Sequence, residues 1–126
     1  MSENWLDELQ REAGYWCMSN FGATPIWQPA LGIAEEAGEL CHAVLKSAQG
    51  VRGTKAEHDA KARDAIGDIA IFLIDFCNHY GWSLKDVIQE TWDEVAKRDW
   101  KLDRAKNSLD ELTKDAQDLG MYGDKE

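Results

Sequence analysis

Apolar residues recur along most of this chain at steps of three and four, the period of amphipathic helices and not of strands. Trp5, Leu6, Leu9, Ala13, Trp16 and Cys17 mark a first helix from about Glu3 to Asn20. The stretch from Phe21 to Pro29 breaks it, because two prolines and a glycine cannot continue a helix. Pro29 suits the first turn of a second helix, which runs to about Ala48. After a polar connection, Thr54 is placed to cap a third helix that ends near Tyr80 at Gly81. Ser83 opens a fourth helix, with Leu84, Val87, Ile88, Val95 and Trp100 in helical register to about Leu102. No strand pattern, repeat or second domain is visible. The expected fold is an all-α bundle of four helices over residues 1–102. Residues 103–126 form a polar tail or a short docking helix, with Leu109, Leu112 and Leu119 as its main apolar residues.

Composition narrows the class of partner. The 126 residues make one domain by size, and a 44% hydrophobic content with six Trp argues for a folded core. A net charge of −10 disfavours nucleic acid polymers and anionic membranes as partners. No apolar run is long enough to span a bilayer, and the N-terminal residues do not read as a signal peptide. A cytoplasmic location is expected. Cys17, Cys41 and Cys77 are odd in number, widely spaced and set among apolar residues, as buried free thiols in a reducing compartment would be.

Charge placement points to chemistry. At about 100° per residue, Glu35 and Glu39 stack on one arc of the second helix with Glu36 beside them. Ile33, Ala37, Leu40, Cys41 and Val44 fall on the other side, toward a core. Little else on the acidic arc neutralises these like charges, which repel at this spacing. A divalent cation would offset the repulsion; taken alone, an ordinary solvated face explains the arc equally well. The third helix weighs for the cation. It is apolar almost all round, yet Asp64, Asp68 and Asp75 lie within about 40° of one another. Asp68, flanked by Gly67 and Ile69 in the apolar run, is costly there unless paired, hydrated or bound to metal. Two carboxylate stripes on facing helices suit Mg²⁺ or Mn²⁺, which prefer oxygen ligands and share substrate phosphates.

These motifs resemble a known family. Glu35-Glu36-Ala37-Gly38-Glu39 matches the EExxE motif of the MazG-like, all-α nucleoside triphosphate pyrophosphohydrolases. Ile66-Gly67-Asp68-Ile69 is similar to the end of their ExxD motif, and the likeness spans roughly Phe21 to Trp100. The resemblance implies a homodimer or homotetramer that hydrolyses an NTP or dNTP to the monophosphate and pyrophosphate with Mg²⁺ or Mn²⁺. It implies Glu36, Glu39 and Asp68 as metal ligands, and Glu35 as a further ligand or the group that orients the attacking water. Lys97 and Arg98 match basic residues that lie near the phosphates in the family. One position departs: the glutamate of ExxD is Ala65 here, and Asp64, one residue earlier on the same face, is its available substitute. Asp75 falls where relatives carry Asn, and a carboxylate there suits the N–H donors of guanine, which favours a purine deoxynucleotide such as dGTP.

Other residues have plainer readings. Trp27, in the Pro-flanked loop, either stacks on a base or packs the loop. Trp5, Trp16, Trp92 and Trp100 read as core or interface residues. Glu39-Leu40-Cys41-His42 has the ExxH form of di-iron bundles, but Asp75-Phe76-Cys77-Asn78 does not supply the second motif they need. His42 reads as a helix-flank residue, His79 as a helix-end residue suited to the C-terminal dipole, and His58 as part of an exposed, charged turn. The rivals are a catalytically silent helical bundle that binds a partner or nucleotide, with Ala65 as the feature that favours it, and, as the lesser alternative, a di-iron carboxylate bundle.

Overall fold

The computed structural model describes residues 3–120. They hold five helices and no strand: α1 (Trp5–Phe21), α2 (Trp27–Gln49), α3 (Lys55–Tyr80), α4 (Leu84–Val95) and α5 (Trp100–Asp118). The all-α class is as expected, but the fourth helix is two. Beyond Val95 the backbone tightens, with Lys97 and Arg98 N–H groups donating three residues back to Glu94 and Val95. Asp99 then starts α5, its carboxylate accepting from the Lys101 and Leu102 N–H groups at 3.1 and 3.0 Å. Such a cap competes with continuation of the preceding helix.

Two compact units divide the chain, Met1–Gln89 and Glu90–Glu126. The second holds the later part of α4 and α5; α5 has no buried residue. Trp92 and Trp100, expected in a core or interface, are both 58% exposed.

In the first unit α2 and α3 form an antiparallel hairpin, and α1 packs on α3. Local chemistry fixes the hairpin's ends. Gly50 closes α2 in the left-handed conformation. The Thr54 hydroxyl accepts from the Glu57 N–H while the Glu57 carboxylate accepts from the Thr54 N–H, a reciprocal cap on α3. His58 belongs to this device. Only 3% exposed, it reaches the Val51 carbonyl with Nε2 at 2.9 Å, against the expectation of an exposed turn. The connection folds back over α3 and covers the ring.

The hairpin's register follows its small residues. Ala43 on α2 and Ala65 on α3 are buried to 1% and 2% exposure, and Pro29 is buried nearer the start of α2. At Gly32 a methyl group would meet the Phe72 ring at 2.6 Å, so only glycine admits that ring. The stripe of α2 turned to α3 therefore passes through Pro29, Gly32, Glu36 and Ala43, not through all the apolar positions. Cys41 and Val44, expected to face a core, are exposed, Val44 by 60%. Small residues win the seam because they let two helices approach closely, leaving larger apolar groups outside.

On the other side of α3, Ile74, Cys77 and Leu84 form the core with Leu6, Leu9 and Ala13 of α1. Burial pushes the Cys77 thiol above its ordinary pKa, as expected of an inert structural thiol. Gln10 joins three segments at once. Its amide donates to Asn78 Oδ1 and the Trp82 carbonyl, and its Oε1 accepts from the Leu84 N–H. Trp5 and Trp16 stay largely exposed on α1, at 47% and 57%.

His79 ties the α1–α2 connection to α3. Its Nδ1 lies 2.8 Å from the Asp75 carbonyl and its Nε2 lies 2.8 Å from the Thr24 carbonyl. Both partners are acceptors, so the doubly protonated ring alone satisfies them. These two bonds, Asp75 first, raise the His79 pKa; partial burial opposes them and the Asp75 charge adds to them. A raised folded-state pKa gives stability that is complete below the unfolded value and lost as pH rises through the folded one. Melting wild type and His79→Gln from about pH 5.5 to 8.5 should show the wild-type advantage at the acid end and its decline toward the alkaline end. An advantage independent of pH would contradict this role for His79.

Candidate functional site

The antiparallel register sets Glu36 near Asp68. Glu36, Glu39 and His42 from α2, with Lys61, Asp64 and Asp68 from α3, line a cleft of about 360 Å³. Buried Ala43 and Ala65 form its floor. Both carboxylate stripes read from the sequence thus meet in one groove, and four of the expected metal residues line it together. Glu35 lies outside the lining and reaches the cleft through its charge on Glu36.

Glu36 records the electrostatics. Desolvation raises its pKa first, and the charges of Asp68, Glu35, Glu39 and Asp64 raise it further. The other four carboxylates of the two acidic stripes around the cleft are therefore felt at this one side chain. No three acidic, imidazole or thiol groups among the described residues yet converge on one point. The donor set is nonetheless of hard oxygens on long, rotatable side chains, which fits Mg²⁺ or Mn²⁺ and not a thiolate-preferring metal.

Sequence reasoning missed two members of the lining. His42 follows Glu39 by three residues and Glu36 by six, so its place in the groove is legible once the seam is known. Lys61 precedes Asp68 by seven residues, two helical turns, which puts it on the same face of α3.

A second cavity, of about 310 Å³, adjoins the cleft and shares Asp68 with it. Trp16, Phe21, Ile71 and Phe72 give it apolar walls, while Gln28, Thr24 and Asp75 supply polar atoms. Asp75 is where the sequence expects a base contact; its charge, after burial, also raises the Cys17 thiol's pKa. Trp27 does not line this cavity. It opens α2 with its side chain in solvent, 57% exposed. Lys97 and Arg98 belong to the second unit, where Lys97 pairs with Glu94 at 3.1 Å and Arg98 lies 6.0 Å over the Trp100 ring.

Comparison with family models, with curated proteins and with solved structures finds no match for this chain.

The repulsion around Glu36 is testable without any ligand. Its raised pKa means that ionisation costs the folded state stability, a penalty present above the folded pKa and absent below the ordinary carboxylate value. Glu36→Gln should melt higher than wild type at pH 7 in the presence of EDTA. The gap should close as the buffer is taken down to about pH 4. A variant that melts lower at neutral pH would show that Glu36 is a stabilising partner, not a strained one.

Proposed function

We propose that this chain is a metal-dependent nucleotide pyrophosphohydrolase, cleaving a (d)NTP to the (d)NMP and pyrophosphate. The observation that carries this reading is the juxtaposition at Asp68: an acidic cleft on one side and an apolar, base-sized cavity on the other. A nucleoside triphosphate has that same polarity, a flat apolar base at one end and concentrated negative charge at the other. The likeness of the EExxE and Gly-Asp motifs to the MazG-like family supports the same reaction.

Glu36, Glu39 and Asp68 would hold Mg²⁺ or Mn²⁺, with Asp64 in place of the motif glutamate replaced by Ala65. The bound cation supplies charge stabilisation at the phosphates and acidifies a water. Water oxygen bonds to the α-phosphorus as the bond from that phosphorus to the α,β-bridging oxygen breaks, and pyrophosphate leaves. Glu39 takes the proton of the attacking water at a carboxylate oxygen, and Glu35, outside the lining, acts through its charge on Glu36. In the neighbouring cavity Trp16, Phe21 and Phe72 enclose the base. Asp75 accepts from guanine-type N–H donors, favouring a purine deoxynucleotide such as dGTP.

The exposed apolar groups of the hairpin support a homo-oligomer. Ile66, Ile71 and Leu73 of α3 and Leu31, Val44 and Leu45 of α2 are all open to solvent in one chain. Two or four copies that bring such faces together would bury them.

A second reading, a catalytically silent helical module, is favoured by Ala65 and by Lys61, which partly neutralises the cleft without metal. One assay separates the two. Each NTP and dNTP is incubated with the protein and Mg²⁺ or Mn²⁺, and products are resolved by ion exchange beside a Glu39→Gln control. Monophosphate and pyrophosphate in equal amounts, reduced at least about 100-fold in the control, is the expected result. Turnover of dGTP should exceed that of dCTP and dUTP. Diphosphate and phosphate would overturn the reaction class, and no turnover at all would leave the silent module.

A further inference from the structure

Along α5 apolar residues fall at alternating steps of three and four: Leu102, Ala105, Leu109, Leu112, Ala116 and Leu119. All twelve residues between them are polar or charged. This is a seven-residue repeat with apolar first and fourth positions, a narrow stripe that fits one neighbouring helix and not a broad core. The stripe is open in one chain. Leu102, Leu109, Leu112 and Leu119 are 63% to 77% exposed, and α5 has no buried residue. A lone helix of 19 residues is marginal in water. Its charges make it more so. Lys101, Arg104 and Lys106 against Asp103 leave residues 100–109 with two net positive charges. Asp110, Glu111, Asp115 and Asp118 against Lys114 leave residues 110–119 with three net negative charges. That order opposes the helix's own macrodipole, whose positive end is the N-terminus.

We propose that α5 pairs with α5 of a second copy of this chain as an antiparallel two-helix coiled coil. The two-fold axis passes between positions 110 and 111. Leu109 then packs against Leu112 of the partner subunit, Ala105 against the partner's Ala116 and Leu102 against the partner's Leu119. The pairing holds whatever reaction the cleft performs, and its surface is separate from the exposed hairpin faces of α2 and α3.

Size and charge together select this partner. In that register each leucine meets a leucine and each alanine an alanine, so the two helices keep one even fit along the seam. The antiparallel order lays the positive half of each helix along the negative half of the other. It thereby offsets the charge order that disfavours α5 alone. A parallel pair would set positive halves together and negative halves together. It would also place Lys101 beside the partner's Lys106, twice per dimer, at the flanking positions that set orientation in coiled coils. In the antiparallel pair Lys106 flanks the partner's Thr113, and Ser108 flanks the partner's Asp115. Neither of these pairs carries like charges. A surface matched to itself about a two-fold axis closes this interface at two copies.

Sedimentation equilibrium on the full chain reads this association. The double variant Leu109→Glu, Leu112→Glu should weaken it by at least about 100-fold, as expected from the loss of four buried leucines per pair. If the hairpin faces also associate, the expected reading is a halved mass. Both leucines are exposed in one chain, so circular dichroism should lose at most the helical signal of α5. Thr113 tests the direction, because the antiparallel pair alone sets it beside Lys106 of the partner subunit. At low salt Thr113→Glu should associate about threefold more tightly than Thr113→Gln, and Thr113→Lys more weakly than either. A parallel pair sets Thr113 beside the partner's Ser108, and the three variants would then associate equally. That equality overturns the antiparallel pairing. A monomeric wild type, or the same mass and Kd for wild type and the double leucine variant, overturns the α5 interface altogether.

Discussion

Close approach of α2 and α3 is the constraint on which the first unit depends. Ala43 and Ala65 are almost fully enclosed, and Gly32 makes room for the Phe72 ring. Helices that pack this tightly cannot choose freely which other residues share the seam. Glu36 follows Gly32 by four residues and precedes Ala43 by seven, so it enters the seam with them. On α3 Asp68 precedes Phe72 by four residues and follows Ala65 by three, which sets it on the facing stripe. Packing by small residues thus brings together charges that repel one another, and the raised pKa of Glu36 is the consequence. Proteins retain such repulsion where a site uses it. Here the use proposed is a divalent cation and the phosphates it would carry.

The same constraint separates what was legible in the sequence from what was not. Helix ends with local signals were readable: Thr54 with Glu57, the left-handed glycines Gly50 and Gly81, and Ser83, whose hydroxyl accepts from the Asp86 N–H. So were the carboxylates of the cleft, because helical spacing alone places Glu36 with Glu39 and Asp64 with Asp68. Hydrophobicity misjudged the side of α2 that is buried. Cys41 and Val44 have the right spacing, but contact is decided by size, and size favoured Pro29, Gly32 and Ala43. Long-range features left no local trace. His58 is buried by a backbone connection that folds over it, and Lys61 and His42 become neighbours only through the antiparallel register. The Asp99 cap is masked in the sequence because Val95 and Trp100 keep roughly helical spacing across the break.

Two polar devices then hold the apolar cavity against the cleft. Gln10 links α1 to the turn between α3 and α4, and His79 links the connection after α1 to the end of α3. Between them α1 is fixed so that Trp16 and Phe21 face Phe72. The cavity's shape thus depends on hydrogen bonds some distance from the carboxylates, whereas the cleft's shape depends on the two alanines. Base recognition and phosphate chemistry would accordingly be set by different parts of the hairpin, joined at Asp68.

That the α2–α3 cleft takes a divalent cation is the claim from which the functional account follows. Thermal melting at neutral pH with and without millimolar Mn²⁺, on wild type and Asp68→Asn, tests it most directly. Binding to the folded state alone raises stability by mass action, about 2.7 kcal/mol at a hundredfold excess over Kd. The account predicts a clear Mn²⁺-dependent rise in Tm for wild type and its loss in Asp68→Asn. Equal melts with and without Mn²⁺ for wild type, or a rise that survives in Asp68→Asn, would contradict it.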